Sequence, residues 1–117
     1  MTERVWAVEI TDPARDDFEE IIEQTADRFG PEQARIYVDV IWRAVRELRA
    51  GPTVLGAKSR KEVGKDHYTL HVGRHGRRGR HFILFKVRMT APSPTIEVLR
   101  FLHDAMDLRR HVPRQDD

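Results

Sequence analysis

The chain contains no cysteine, which excludes a disulfide framework and any thiolate metal site. It has no apolar run approaching the ~20 residues of a membrane span. Its first residues, Met-Thr-Glu-Arg-Val-Trp, lack the basic-then-apolar build of a secretory signal, so a cytoplasmic location is expected. No Gly-Lys-Ser or Gly-Lys-Thr follows its glycine-rich stretch, which removes the phosphate-cradling fingerprint. No cofactor is expected. Tyrosine is scarce, with Tyr37 and Tyr68 the only two, so the C-terminal end carries none. Lysine is absent from residues 1–50.

What is present suits one compact domain. A chain of 117 residues with 39% hydrophobic and 34% charged content is long enough to bury roughly two-thirds of its unfolded surface. Its net charge of +2 conceals two opposed halves. Residues 1–50 hold seven arginines against twelve acids, a net charge of −5. Residues 51–117 hold fourteen basic and seven acidic residues, a net charge of +7. Seventeen of the 21 basic residues are arginine, the side chain whose planar fork matches carboxylate and phosphate. The basic half therefore points to an acidic partner, either nucleic acid or an acidic protein segment, beside the plainer reading of a solvated basic face.

The order of elements is read from periodicity. Val5–Ile10 alternates and is β-rich, so it reads as a first strand. Asp12 is the expected N-cap of a first helix, with Pro13 at its first position. Phe18, Ile21, Ile22, Thr25 and Phe29 form its apolar stripe. Gly30 should end that helix in a left-handed conformation, and Pro31 starts the next. Ala34, Tyr37, Val38, Ile41, Val45 and Leu48 carry the second stripe until Gly51-Pro52. So short a link makes the two helices antiparallel. Residues 51–66 read as a polar connection. His67–Val72, Phe82–Val87 and Ile96–Leu102 read as three further strands, the middle one apolar enough to be central. Asp104 should cap a final short helix that ends at Pro113. The fold class is α+β in the order β-α-α-β-β-β-α, with a helical hairpin packed on a small, mostly antiparallel sheet.

Four groups of residues carry possible chemistry. His67, His71, His75 and His81 look like a metal set, but on a strand His67 and His71 stand about 13 Å apart, so no metal site is expected. The Gly73–Arg80 stretch has three glycines and four arginines and should be a mobile hairpin loop able to meet a phosphate backbone or an acidic peptide. It has no interleaved aromatic to stack bases. His103 with Asp104 and Asp107 could suggest an acid–base pair, yet no serine sits in a structured context beside them, and an N-cap beside a surface histidine explains them better. Tyr37, Trp6 and Trp42 read as packing residues.

Set in order, these segments resemble the RelE/ParE toxins of bacterial type II toxin–antitoxin pairs. The resemblance is carried by Thr11–Gly30, Glu32–Tyr37, Pro52 with Leu55-Gly56, Gly79–Val87, and Ile96–His103 with Asp107-Leu108, and it covers roughly residues 5–112. It implies the same element order and two possible activities. The RelE-like branch cleaves mRNA on the ribosome, commonly with a tyrosine or histidine near the C-terminal helix. The ParE-like branch inhibits DNA gyrase. The absence of tyrosine from residues 104–112, the acids Asp104 and Asp107, and the Leu-His-Asp…Asp-Leu pattern are similar to the ParE-like branch, which implies a gyrase inhibitor with no catalytic residues. A ribosome-dependent endonuclease and a non-toxic basic binding module are the alternatives. The resemblance further implies a small antitoxin whose acidic or amphipathic C-terminal segment holds the toxin in a hetero-oligomeric complex. Arg74, Arg77, Arg78, Arg80, Arg100, Arg109 and Arg110 are the candidate contacts for antitoxin or target. One departure is the repeat Gly73-Arg-His75 and Gly79-Arg-His81, which lengthens a hairpin that family members turn quickly.

Overall fold

A computed structural model describes residues 5–89 and 93–106. Strand β1 (Ala7–Ile10) leads into helix α1 (Asp12–Phe29), and helix α2 (Pro31–Glu47) follows after a single glycine. One 3-10 turn (Leu48–Ala50) closes the helical part. Strands β2 (Lys58–Ser59), β3 (His67–His71), β4 (His81–Arg88) and β5 (Thr95–His103) complete the described elements. They form one five-stranded sheet in the order β1-β5-β4-β3-β2. Only the β1–β5 pair is parallel. The fold is therefore α+β with β4 at the centre of a mostly antiparallel sheet, as expected.

The start of α1 differs from the expectation in an informative way. Thr11, not Asp12, is the N-cap: its hydroxyl oxygen accepts from the Ala14 N–H at 3.3 Å, leaving Asp12 as a first-turn acid. The same hydroxyl donates to the carbonyls of Val98 at 2.9 Å and Leu99 at 3.1 Å. Those carbonyls belong to a β-bulge. Leu84 pairs with Arg100 and Phe85 with Val98, so Leu99 is the extra residue on β5. Thr11 thus caps a helix and ties its start to the backbone at the bulge. Six residues on, the Asp17 carboxylate accepts from the Phe101 N–H at 3.0 Å and from Arg100 Nε and Nη2 at 2.6 and 2.9 Å. Two polar side chains on one helix therefore fix how α1 lies on β5.

Gly30 links the helices at φ 93 and ψ 163, an extended positive-φ conformation open to glycine alone rather than the left-handed helical one expected. Beneath the helices, Ile21, Ile41, Ala44, Val45 and Leu48 meet Leu70, Val72, Ile83, Phe85, Ile96, Val98 and Phe101 in one core. The Phe18 and Trp42 rings meet at a tilt between the helices, their centroids 5.1 Å apart, and Trp6 packs on Gly51. Phe29 falls off the stripe: it sits on the last turn of α1 and is 67% exposed.

The connection after Gly51 is more ordered in its pairing than its polarity suggests. Lys58 and Ser59 pair with Thr69 and Tyr68, and Arg60 Nε donates to the Thr69 hydroxyl at 2.9 Å. The following turn covers His67, which is 1% exposed and bonds the Lys65 carbonyl through Nδ1 at 2.8 Å. This histidine is a core residue. The helix expected from Asp104 onward lies mostly outside the described residues; Asp104 and Ala105 form a turn.

Candidate functional site

The loop from β3 to β4 carries most of the candidate arginines, and one acid organises it. Glu47 closes the last turn of α2 and receives Arg74 as a fork, Nε at 3.0 Å and Nη2 at 3.2 Å. His75 Nε2 lies 2.9 Å from its Oε1, and Arg77 Nη2 lies 3.7 Å from Oε2. Partial burial works against ionisation of Glu47, but hydrogen bonds from Arg74 and His75 outweigh it and hold the carboxyl below its ordinary range. The loop expected to be mobile thus has a charged anchor. Gly56 makes that anchor possible. Its φ is +96, and a Cβ built there would stand 2.6 Å from Arg74 Nη1. At this positive φ a side chain would be strained, and its Cβ would crowd the guanidinium on its way to Glu47.

A second cluster stands at the neighbouring end of the sheet. The Arg80 N–H donates to the Tyr37 phenol oxygen at 3.0 Å, and that hydroxyl lies 2.7 Å from His81 Nδ1. His81 pairs across the ladder with His103, their rings meeting edge to face at 5.3 Å. His71, on β3, places Nε2 3.0 Å from Asp104 Oδ2, and His103 Nδ1 lies 3.5 Å from Oδ1 of the same acid. Burial, reinforced by the adjacent His103, pushes His81 down to about 4. Burial also raises the Tyr37 phenol above 10.0, aided by the Asp104 charge. Near pH 7 the Tyr37–His81 pair is therefore neutral on both sides, with the phenol donating to the imidazole. A general acid or base works best with a pKa near the operating pH, and neither group is so placed. Asp104 is itself held below its ordinary range, first by its hydrogen bond with His71.

The structure separates the candidate arginines by their surroundings. Arg74 and Arg77 gather on Glu47, and Arg100 is held by Asp17. Arg78 and Arg80 are exposed. Arg109 and Arg110 lie outside the described residues. Three residues were missed from sequence: Glu47, Arg43 and Arg46 share one face of α2 by their helical spacing and line a concavity with Arg77. The signal was there in the spacing, obscured because the helix read as purely structural. Among the described residues, no three or more His, Asp or Glu side chains are placed to hold a metal ion. No helix among them is long and apolar enough to cross a membrane.

Residues 8–108 match the model of a family described as the ParE toxin of the parDE type II toxin–antitoxin system. The chain belongs to the ParE toxin family. Solved structures agree on the fold. A chain of the chromosomal ParDE toxin–antitoxin system from P. aeruginosa superposes with a TM-score of 0.68 at 20% identity, covering 86% of this chain and 97% of that one. A chain of the RelBE2 toxin–antitoxin complex from Mycobacterium tuberculosis gives 0.53 at 22% identity, with coverages of 85% and 98%. No curated protein matches. The matched region runs from within β1 through the bulge to the histidine end of the sheet. The residues that carried the resemblance now have physical roles: Thr11 and Asp17 dock α1, Gly56 admits Arg74, and Tyr37 braces the end of the β3–β4 loop.

Proposed function

We propose that this ParE-family toxin acts by inhibiting DNA gyrase, so blocking replication in the bacterial cytoplasm, and that a cognate antitoxin neutralises it. The match to the ParE family over residues 8–108 is the observation that carries the reading. Within the sheet-end cluster, the Tyr37–His81 pair fits a non-enzymatic action. Tyr37 and His81 satisfy each other in neutral form, and their titrations lie on either side of the range useful to a ribonuclease. The antitoxin is a small protein whose acidic or amphipathic segment meets the arginine-rich half, folding on binding as its charges pair. Arg74, Arg77, Arg78, Arg80, Arg100, Arg109 and Arg110 remain the proposed contacts, with Arg78 and Arg80 the exposed ones among those described.

One observation favours a second reading, ribosome-dependent mRNA cleavage. His71, His81, His103, Tyr37 and Asp104 converge at one end of the sheet, and a RelBE2 chain shares the fold. Purified toxin tested in parallel on gyrase supercoiling and on mRNA bound to ribosomes separates the two. Inhibited supercoiling with intact mRNA supports the first reading, and ribosome-dependent cuts support the second.

A further inference from the structure

Beside the Glu47 anchor, Arg43, Arg46, Glu47 and Arg77 line a shallow, open concavity of about 370 Å³. Its charge is unbalanced. Arg74, Arg77 and His75 all converge on the one carboxylate of Glu47, while Arg43 has Asp39 at 2.7 Å and, among the described residues, Arg46 bonds the Trp42 carbonyl at 3.5 Å. Arg77 Nε is buried without a hydrogen-bond acceptor among the described residues. A guanidinium N–H in that condition lacks the partner that buried polar groups ordinarily have.

We infer that this concavity is a carboxylate-binding site for an acidic side chain of a partner peptide, formed by Arg43, Arg46 and Arg77 and prearranged by Glu47. The inference rests on the antitoxin reading above and names where the acidic segment seats. Glu47 already shows the recognition chemistry, since Arg74 grips it through two parallel N–H···O bonds. An incoming carboxylate offers acceptors to the exposed guanidiniums of Arg43 and Arg46 and to the part of the Arg77 side chain that lines the concavity, Arg77 Nε itself lying beneath the surface. A peptide fits better than a nucleic acid. Along α2 the basic surface is interrupted beyond the concavity: toward the start of the helix come Asp39 and Glu32, where a polyphosphate backbone following the helix would need a continuing basic track. A peptide needs only one or two carboxylates at this point.

The test uses full-length, isotopically labelled toxin and two probes at equal net charge and fixed ionic strength: a synthetic amphipathic glutamate-rich peptide of about four helical turns, and an oligouridylate. Side-chain Nε–Hε resonances are followed by NMR, with Arg77→Lys used to assign the Arg77 signal. The glutamate peptide is expected to shift the Arg77 resonance. Arg43→Glu/Arg46→Glu, both at exposed positions, is expected to weaken the peptide at least about tenfold, whereas Arg78→Glu, outside the concavity, weakens it far less. Peptide binding that leaves Arg77 unmoved, equal weakening by all the reversals, or tighter seating of the oligouridylate at Arg77 would overturn the inference. The antitoxin reading fails separately. An antitoxin that binds the double reversal as tightly as wild type sinks the site but not the partnership, and a peptide that seats at Arg77 of a protein with no neutralising partner does the reverse.

Discussion

Replacing Asp17 removes a concentrated polar link between helix and sheet. Its carboxylate takes two bonds from Arg100 and one from the Phe101 N–H, with side-chain exposures of 14% for Asp17 and 29% for Arg100. A fully buried pair broken on one side costs about 3–5 kcal/mol, and an exposed pair under about 1. This pair lies between, and the Phe101 N–H loses its acceptor as well, at about 1–3 kcal/mol. Asp17→Ala should therefore destabilise the protein by about 2–4 kcal/mol, a large share of the 5–15 kcal/mol typical of a domain. Asp17→Asn keeps an acceptor for Phe101 but not the charge, and should lose about half as much. Urea denaturation of both variants against wild type, with unchanged dependence on denaturant, reads these values. A loss below about 0.5 kcal/mol for Asp17→Ala would refute the claim that this pair fixes α1 on β5, and equal losses for Ala and Asn would refute the part assigned to the Phe101 N–H.

Further expectations follow from the same geometry. Gly56→Ala forces a side chain into positive φ and against Arg74, so it should cost about 1–3 kcal/mol in the same titration and loosen the β3–β4 loop to limited proteolysis. Tyr37→Phe takes the donor from His81 Nδ1 and the acceptor from the Arg80 N–H; about 1–2 kcal/mol should be lost. His81 titrates near 4 when folded and near 6.5 when unfolded, so the unfolded chain binds the extra proton in that window. Its contribution is fully present above pH 6.5 and is lost as pH falls toward 4. The shift would correspond to about 3 kcal/mol, reduced by solvent access at this half-buried ring to about 1–2. His81→Gln should flatten stability against pH between those values, as measured by thermal unfolding in matched buffers.

The sequence held the architecture well because its signals were local and redundant. Proline and glycine mark both ends of the helical hairpin, and β-branched and aromatic runs mark β3, β4 and β5. What it hid was set by tertiary contact. Thr11 outcompetes Asp12 as the cap because its hydroxyl also meets the bulge carbonyls of Val98 and Leu99, a bulge with no signature in one strand read alone. The two-residue strand β2 exists only because Lys58 and Ser59 meet Tyr68 and Thr69. The arginines were legible as a class but not individually. Their sorting depends on Glu47 and Asp17, acids that read as ordinary helix-surface residues until the sheet was set against them. The histidines show the same limit: the strand geometry argued against a metal set, yet it could not show that His67 is sealed in the core while His81 and His103 meet edge to face.

We propose that this ParE-family fold stops gyrase by binding rather than by cutting. Supercoiling of relaxed plasmid by purified gyrase, measured across a titration of the full-length toxin, tests it most directly. Dose-dependent loss of the supercoiled product is the expected result. Unchanged supercoiling at every concentration of a toxin that arrests growth when expressed would contradict the account.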